Sequence, residues 1–430
     1  MAVFSSARGA LIGLLLPLCA SAQAPDSGLP LDSLLRVAVA DNPALAVARL
    51  HADALGTRAE QVSARPNPTV GVTAFPAPIL TARGAQQAQV RVEQRFPWPG
   101  TLRLRAEAAA LRAEAAEARS EVYALDVALA VKTAYVDLAH VQATRRHVEA
   151  FQLRLAAFAE AAMERYEVGR GPQSAILQIQ LARKRLTARL LQLDAEASRA
   201  FQRLARLLDR PSLTAFNTVP LASLRTRAVG GVAVDSVLAQ RPENDALEAR
   251  VAQAEAEATL VRKARYPDLG VNVTYFNISD RAVPASADGR DAFALGVTMR
   301  IPLDRIRQRA QAEEARLRMA EAEAERAALA TEITTTLADL RAQLRNEAAQ
   351  IALHTDRLLP QADAIVTSVL AAYATGQADH LALLDAERTR LDLRLALDAA
   401  RARYARALAA LERTLGTPPT RTELGALNDE

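Results

Sequence analysis

Apolar and polar residues alternate along Val90-Arg91-Val92-Glu93-Gln94-Arg95-Phe96, the period of a strand with one oily face and one wet face. Pro97-Trp98-Pro99-Gly100 stops that strand. From Thr101 to about Arg165 no proline or glycine occurs, and Leu111, Ala115, Ala118, Val122, Leu125 and Leu129 recur in alternating steps of four and three. That spacing is a coiled-coil seam and predicts one unbroken helix of roughly 100 Å. A rod of this length serves no compact domain, so the pattern itself carries functional information.

The second half of the chain repeats the first. Asn42-Pro43 is echoed by Arg241-Pro242, Pro68 and Gly71 by Pro267 and Gly270, Phe96-Pro97 by Ile301-Pro302, and Tyr166 with Gly169 by Tyr373 with Gly376. Each half reads in the same order. A helix (31–64 and 233–265) precedes a strand (68–75 and 267–276). A turn-rich loop (76–86 and 277–290) leads to a second strand (88–96 and 292–301). A very long helix follows (101–166 and 304–373, the latter interrupted by Pro360). A glycine break then opens a shorter helix (173–209 and 379–415). The domain reading is a signal peptide over 1–24, a first repeat over 25–210, a linker over 211–231, a second repeat over 232–416 and a flexible tail over 417–430.

The signal peptide is read from Arg8, the short apolar stretch Leu11 to Cys19 and the small residues Ala20, Ser21, Ala22 and Ala24, which offer cleavage sites. Cys19 is the chain's only cysteine and leaves with the signal; a lipid-anchored Cys19 is the rival reading. The mature chain then has no disulfide. Only three of the 53 basic residues are lysine (132, 184 and 263), and the arginines are interspersed with acids, as in Arg105/Glu107 and Arg316/Glu321. This is a solvated helix face and not a nucleic-acid stripe. No metal-ligand cluster, phosphate loop or nucleophile elbow occurs, so neither an enzyme nor a cofactor is expected.

The strands have two faces. Val90, Val92 and Phe96 oppose Arg91, Glu93 and Arg95; Phe293, Leu295, Val297, Met299 and Ile301 oppose Ala294, Gly296, Thr298 and Arg300. An ordinary soluble sheet with one half-buried face shares this pattern. If the oily face meets lipid, four strands leave open edges whose unpaired backbone groups a bilayer cannot satisfy, so the sheet must close with other copies. Two copies give eight strands and three give twelve; a conduit favours three. The expected fold is mainly α with a small β part: a long helical coiled-coil barrel plus four strands per chain.

The signal peptide, the duplicated helix–hairpin–long helix layout, Phe96-Pro97-Trp98-Pro99-Gly100 entering the helix, and the paired Tyr–Gly breaks together resemble the TolC-like outer-membrane efflux proteins over about 31–416. That resemblance implies a homotrimer with a 12-stranded transmembrane barrel in the outer membrane and a long periplasmic helical part. It implies an exit duct of a tripartite efflux system, working with a periplasmic adaptor and an inner-membrane transporter. It further implies that Gly169, Gly376, Tyr166 and Tyr373 mark adaptor-docking tips, and that carboxylates past the second glycine ring the entrance, where Asp385 matches and Asp379 adds charge. The family's polar link falls here on Ala175 and Ala378. Val90, Val92, Phe96, Phe293, Leu295 and Val297 would face lipid.

Each site has a plainer reading. Asp385 is equally a solvent-facing helix charge, His380 an exposed imidazole, and His140 with His147 a heptad coincidence. Tyr166 and Tyr373 serve as packing anchors at the tips. Trp98 sits either at the lipid interface or in the core of the joint. A soluble periplasmic coiled-coil adaptor is the alternative function.

Overall fold

The computed structural model describes residues 30–169, 171–221, 234–279 and 288–420. The expected signal peptide with Cys19, the linker beyond 221, part of the second hairpin loop and the tail beyond 420 lie outside the described residues.

The entry helix of each repeat is divided at its proline. Helix α1 (Leu31–Asp41) ends before α2 (Pro43–Gly56), and α3 (Arg58–Ser63) follows. In the second repeat α6 (Val234–Leu238) precedes α7 (Pro242–Lys263). The cause is local: proline is tolerated at the first helical turn and not inside a helix. Asn42 makes the first break a cap. Its side chain accepts from Ala44 N at 3.0 Å and Leu45 N at 3.2 Å, and donates to Leu207 O at 2.9 Å, tying α2 to the end of α5 (Gln173–Leu207).

The long helix α4 runs from Thr101 to Glu167, as its seam predicts. Its counterpart is α8 (Arg305–Leu353), a π-helical turn over His354–Leu358, and α9 (Leu359–Ala374). The widened turn sits just before Pro360, whose ring would clash with the carbonyl of Asp356 in a regular helix. Helix α10 (His380–Thr414) closes the second repeat.

The two repeats build equivalent cores. Leu34, Leu35 and Ala38 of α1 pack with Val131, Tyr135 and Leu138 of α4 and with Leu204 of α5. Val237 of α6 packs with Ile333, Leu337 and Leu344 of α8 and with Tyr404, Leu408 and Leu411 of α10. Helix α4 belongs to both halves, because α10 runs antiparallel along it. That seam is charged. Lys132–Glu412 (2.5 Å), Asp137–Arg406 (2.7 Å), His147–Asp398 (2.8 Å) and Arg154–Glu387 (3.2 Å) descend α4 while climbing α10.

The strands β1 (Thr69–Thr81), β2 (Gly84–Phe96), β3 (Asp268–Ser279) and β4 (Ala292–Arg300) form one antiparallel sheet in chain order. The first hairpin is longer than its sequence suggests. Pro76 and Pro78, expected in a loop, lie within β1, where the register with β2 shifts between Ala74 and Ile79. Neither proline has a partner in β2 at this irregularity, so a missing N–H breaks no ladder bond there.

Candidate functional site

Two regions can carry function: the sheet and the opposite end of the helices. In the sheet the strand register aligns whole rows. Val70, Val92, Val273 and Leu295 are successive partners, as are Val72, Val90, Tyr275 and Phe293. Because side chains alternate, every row of this parity is on one face. That face is open: Val72 is 72% exposed and Leu295 77%, with Phe293 and Val297 similar and Val92 and Phe96 less so; Val90 is half-buried. The other face is polar, with Arg91, Thr298 and Arg300 exposed around two covered residues of β3. Asn272 is 5% and Thr274 4% exposed, and Arg91 donates from Nε to Thr274 Oγ1 at 3.4 Å. Glycines make room on that side. A Cβ on Gly270 would lie 2.3 Å from Thr298 Oγ1, and one on Gly296 would lie 2.8 Å from Asn272 Oδ1. The apolar face is thus left uncovered, the reverse of a water-soluble sheet, which buries its apolar side.

The strands join the helices through a compact knot. Trp98 and Tyr266 stack with ring centres 4.8 Å apart, Trp98 N donates to Asp268 Oδ1 at 3.3 Å, and Lys263 Nζ donates to Pro99 O at 3.0 Å. Gly100, at φ 83°, makes the turn into α4. Trp98 therefore packs across the joint between the two repeats.

At the far end, Gly169 and Gly376 have φ of 71° and 77° and stand in open space, so only the left-handed backbone requires glycine there. Gly169 N donates to Tyr166 O at 2.9 Å, and Gln377 N to Ala372 O at 2.8 Å. The two tyrosines differ. The Arg165 guanidinium sits 4.2 Å from the ring centre of Tyr373 and donates to Tyr373 O at 2.6 Å, whereas Tyr166 is exposed. A cation thus meets the last carbonyls of α9, where the helix dipole favours it. Sequence spacing gave no sign of this stitch.

Asp379 is the N-cap of α10, accepting from Ala382 N at 2.8 Å. Asp385 is exposed one and a half turns further on. His380 meets Gln178 Oε1 at 2.9 Å. Ala175 is buried beside a small apolar cluster in which Phe151, Leu155 and Ala162 pack with Ile176, Ile179 and Leu391. Above it Glu387 bridges Arg154 and Arg390.

The histidines of α4 do not share a site. His147 pairs with Asp398; His140 is pushed below its ordinary pKa by burial and then by the Arg406 charge. Burial alone would raise the Asp398 carboxyl, but His147 and Arg401 hold it below the usual range. No group of three or more metal-ligating side chains sits together among the described residues, and none of their helices is long and apolar enough to cross a membrane.

The sequence profile of the family described as outer membrane efflux protein matches residues 233–417. No curated protein matches the chain at significant similarity. Among solved structures, the outer membrane protein VceC from Vibrio cholerae superposes with a TM-score of 0.74 at 21% identity, over 90% of this chain and 96% of its own. CusC, described by its transmembrane channel formation, gives 0.77 at 18% identity over 90% and 92%. The open state of the Neisseria gonorrhoeae MtrE outer membrane channel gives 0.73 at 18% identity over 92% of each chain. The second repeat thus matches the outer membrane efflux protein profile, and the chain shares the fold of these outer-membrane channels over nine tenths of its length.

Proposed function

We propose that the protein is the exit duct of a tripartite efflux system, a passive channel that three copies of the chain complete in the outer membrane. The observation that supports this most strongly is the sheet of inverted polarity with two open edges. Four strands cannot satisfy their edge groups in lipid; three copies supply the twelve strands of a barrel wide enough to conduct. The polar face of Arg91, Glu93, Asn272 and Thr274 then lines water, and Val90, Val92, Phe96, Phe293, Leu295 and Val297 meet lipid.

In this reading residues 1–24 direct export, and the two repeats, 25–210 and 232–416, each supply one hairpin and one helical pair. The helices continue the barrel into the periplasm. Gly169, Gly376, Tyr166 and Tyr373 form the tips that receive a periplasmic adaptor, and an inner-membrane transporter drives the cargo. Asp385, with Asp379 nearby, draws cations to the entrance.

The test is extraction and conductance. The protein is expected in the outer-membrane fraction, to need detergent for extraction, to migrate as a heat-sensitive trimer and to conduct ions in a planar bilayer. A detergent-free soluble monomer overturns the proposal.

A further inference from the structure

Helix α4 lies between α2 and α7, and the three enclose a groove of about 360 Å³. Arg112 and Arg119 from α4, His51 from α2 and Arg250 from α7 line it, beside Tyr123, and none of the lining residues is acidic. Arg250 pairs with Glu325. Arg112, Arg119 and His51 form no hydrogen bond or ion pair with any described residue. Arg103 and Arg145 of α4 reach carboxylates instead.

The groove's place follows from helix periodicity. The α4 residues that line it, with Thr101 and Arg105, recur in steps of three, four and seven and share one stripe. Thr101 and Arg105 also line a neighbouring cavity of about 460 Å³, together with Asp268 and Arg300. Those two are register partners and belong to the sheet's polar face by alternation. The groove therefore opens on the side continuous with that face. It lies roughly 25 Å along α4 from the end of β2.

We infer that this groove is an anion-binding station on the inner wall of the duct, selecting cargo that carries phosphate or carboxylate groups. The inference rests on the duct reading and names its substrate class. Guanidinium groups offer the planar, paired donors that such oxyanions accept, with Tyr123 as a further donor. Uncompensated like charges in a shared groove repel one another until an anion enters. Three copies would set three such grooves around one axis.

The experiment is bilayer conductance with tripolyphosphate added to one side, comparing the native chain with Arg112→Gln/Arg119→Gln. The native channel is expected to be blocked. The double variant should weaken that block by about tenfold or more, the loss of a charge-assisted contact, and move the reversal potential in a potassium chloride gradient toward cation preference. Arg112→Lys/Arg119→Lys should restore the reversal potential and only part of the block, because lysine keeps the charge without the fork. A glutamine variant that conducts with unchanged block and unchanged reversal potential overturns the station and leaves the duct standing. A native protein that forms no conducting pore overturns the duct and this inference with it.

Discussion

Lys132 of α4 and Glu412 of α10 meet at 2.5 Å with each side chain only 4% exposed, joining the long helix of the first repeat to the return helix of the second. A buried pair is costly to break singly, because the surviving charge has no water to turn to. Glu412→Gln should therefore destabilise the folded chain by about 3–5 kcal/mol. Lys132→Met/Glu412→Leu should recover most of that loss. Urea unfolding in detergent distinguishes the two.

Acid should loosen the packing around α10. The carboxyls of Asp398 and Glu243 are held below their ordinary values against the opposing effect of burial, Asp398 by His147 and Arg401 and Glu243 by Arg241 and Arg413. A depressed carboxyl contributes stability that is complete above its unfolded value and is lost as pH falls through the folded one. Thermal stability should hold from neutral pH down to the ordinary carboxylate range and fall below it. Asp398→Asn/Glu243→Gln should lower stability at neutral pH and flatten the acid decline.

The sheet's outer face should reject charge according to depth. Leu295→Arg places a cation in the middle of an apolar row and should cost about 2–4 kcal/mol if that row lies at the bilayer midplane. Thr298→Arg, on the polar face, should be tolerated far better. The yield of heat-sensitive oligomer in the outer-membrane fraction reports the difference; equal yields would remove the lipid face.

The two tips should respond unequally. Tyr373→Ala removes the ring beneath Arg165, an interaction worth about 0.5–2 kcal/mol, whereas Tyr166→Ala removes an exposed ring. Tyr373→Ala is expected to raise the single-channel open probability and Tyr166→Ala to leave it unchanged.

Asp385→Ala should weaken cation preference or divalent block at the entrance, a change opposite in sign to that of the arginine variants. Unchanged conductance in both respects removes Asp385 from the pore mouth.

What the sequence revealed depended on range. Alternation along β2 and the heptad steps of α4 are local, and both elements were legible. Pro43 and Pro242 marked breaks that fell inside helices expected to be continuous. Pro76 and Pro78 were misleading, since proline denotes a loop except at an irregularity of the ladder, and that register shift is a property of the sheet. The Arg165–Tyr373 stitch joins residues 208 positions apart and leaves no trace in spacing. The basic groove was hidden for a related reason: Arg112 and Arg119 look like solvated charges until α2 and α7 are laid beside them.

The inverted sheet also constrains the life of the chain before it works. Between synthesis and assembly, Val70, Val72, Phe293 and Leu295 present a greasy ribbon beside unpaired strand edges, the combination most prone to sticking to other polypeptides. If the duct proposal holds, a newly made copy crossing a watery compartment would need an escort, or would have to keep its hairpins unformed, until sister copies and lipid are at hand.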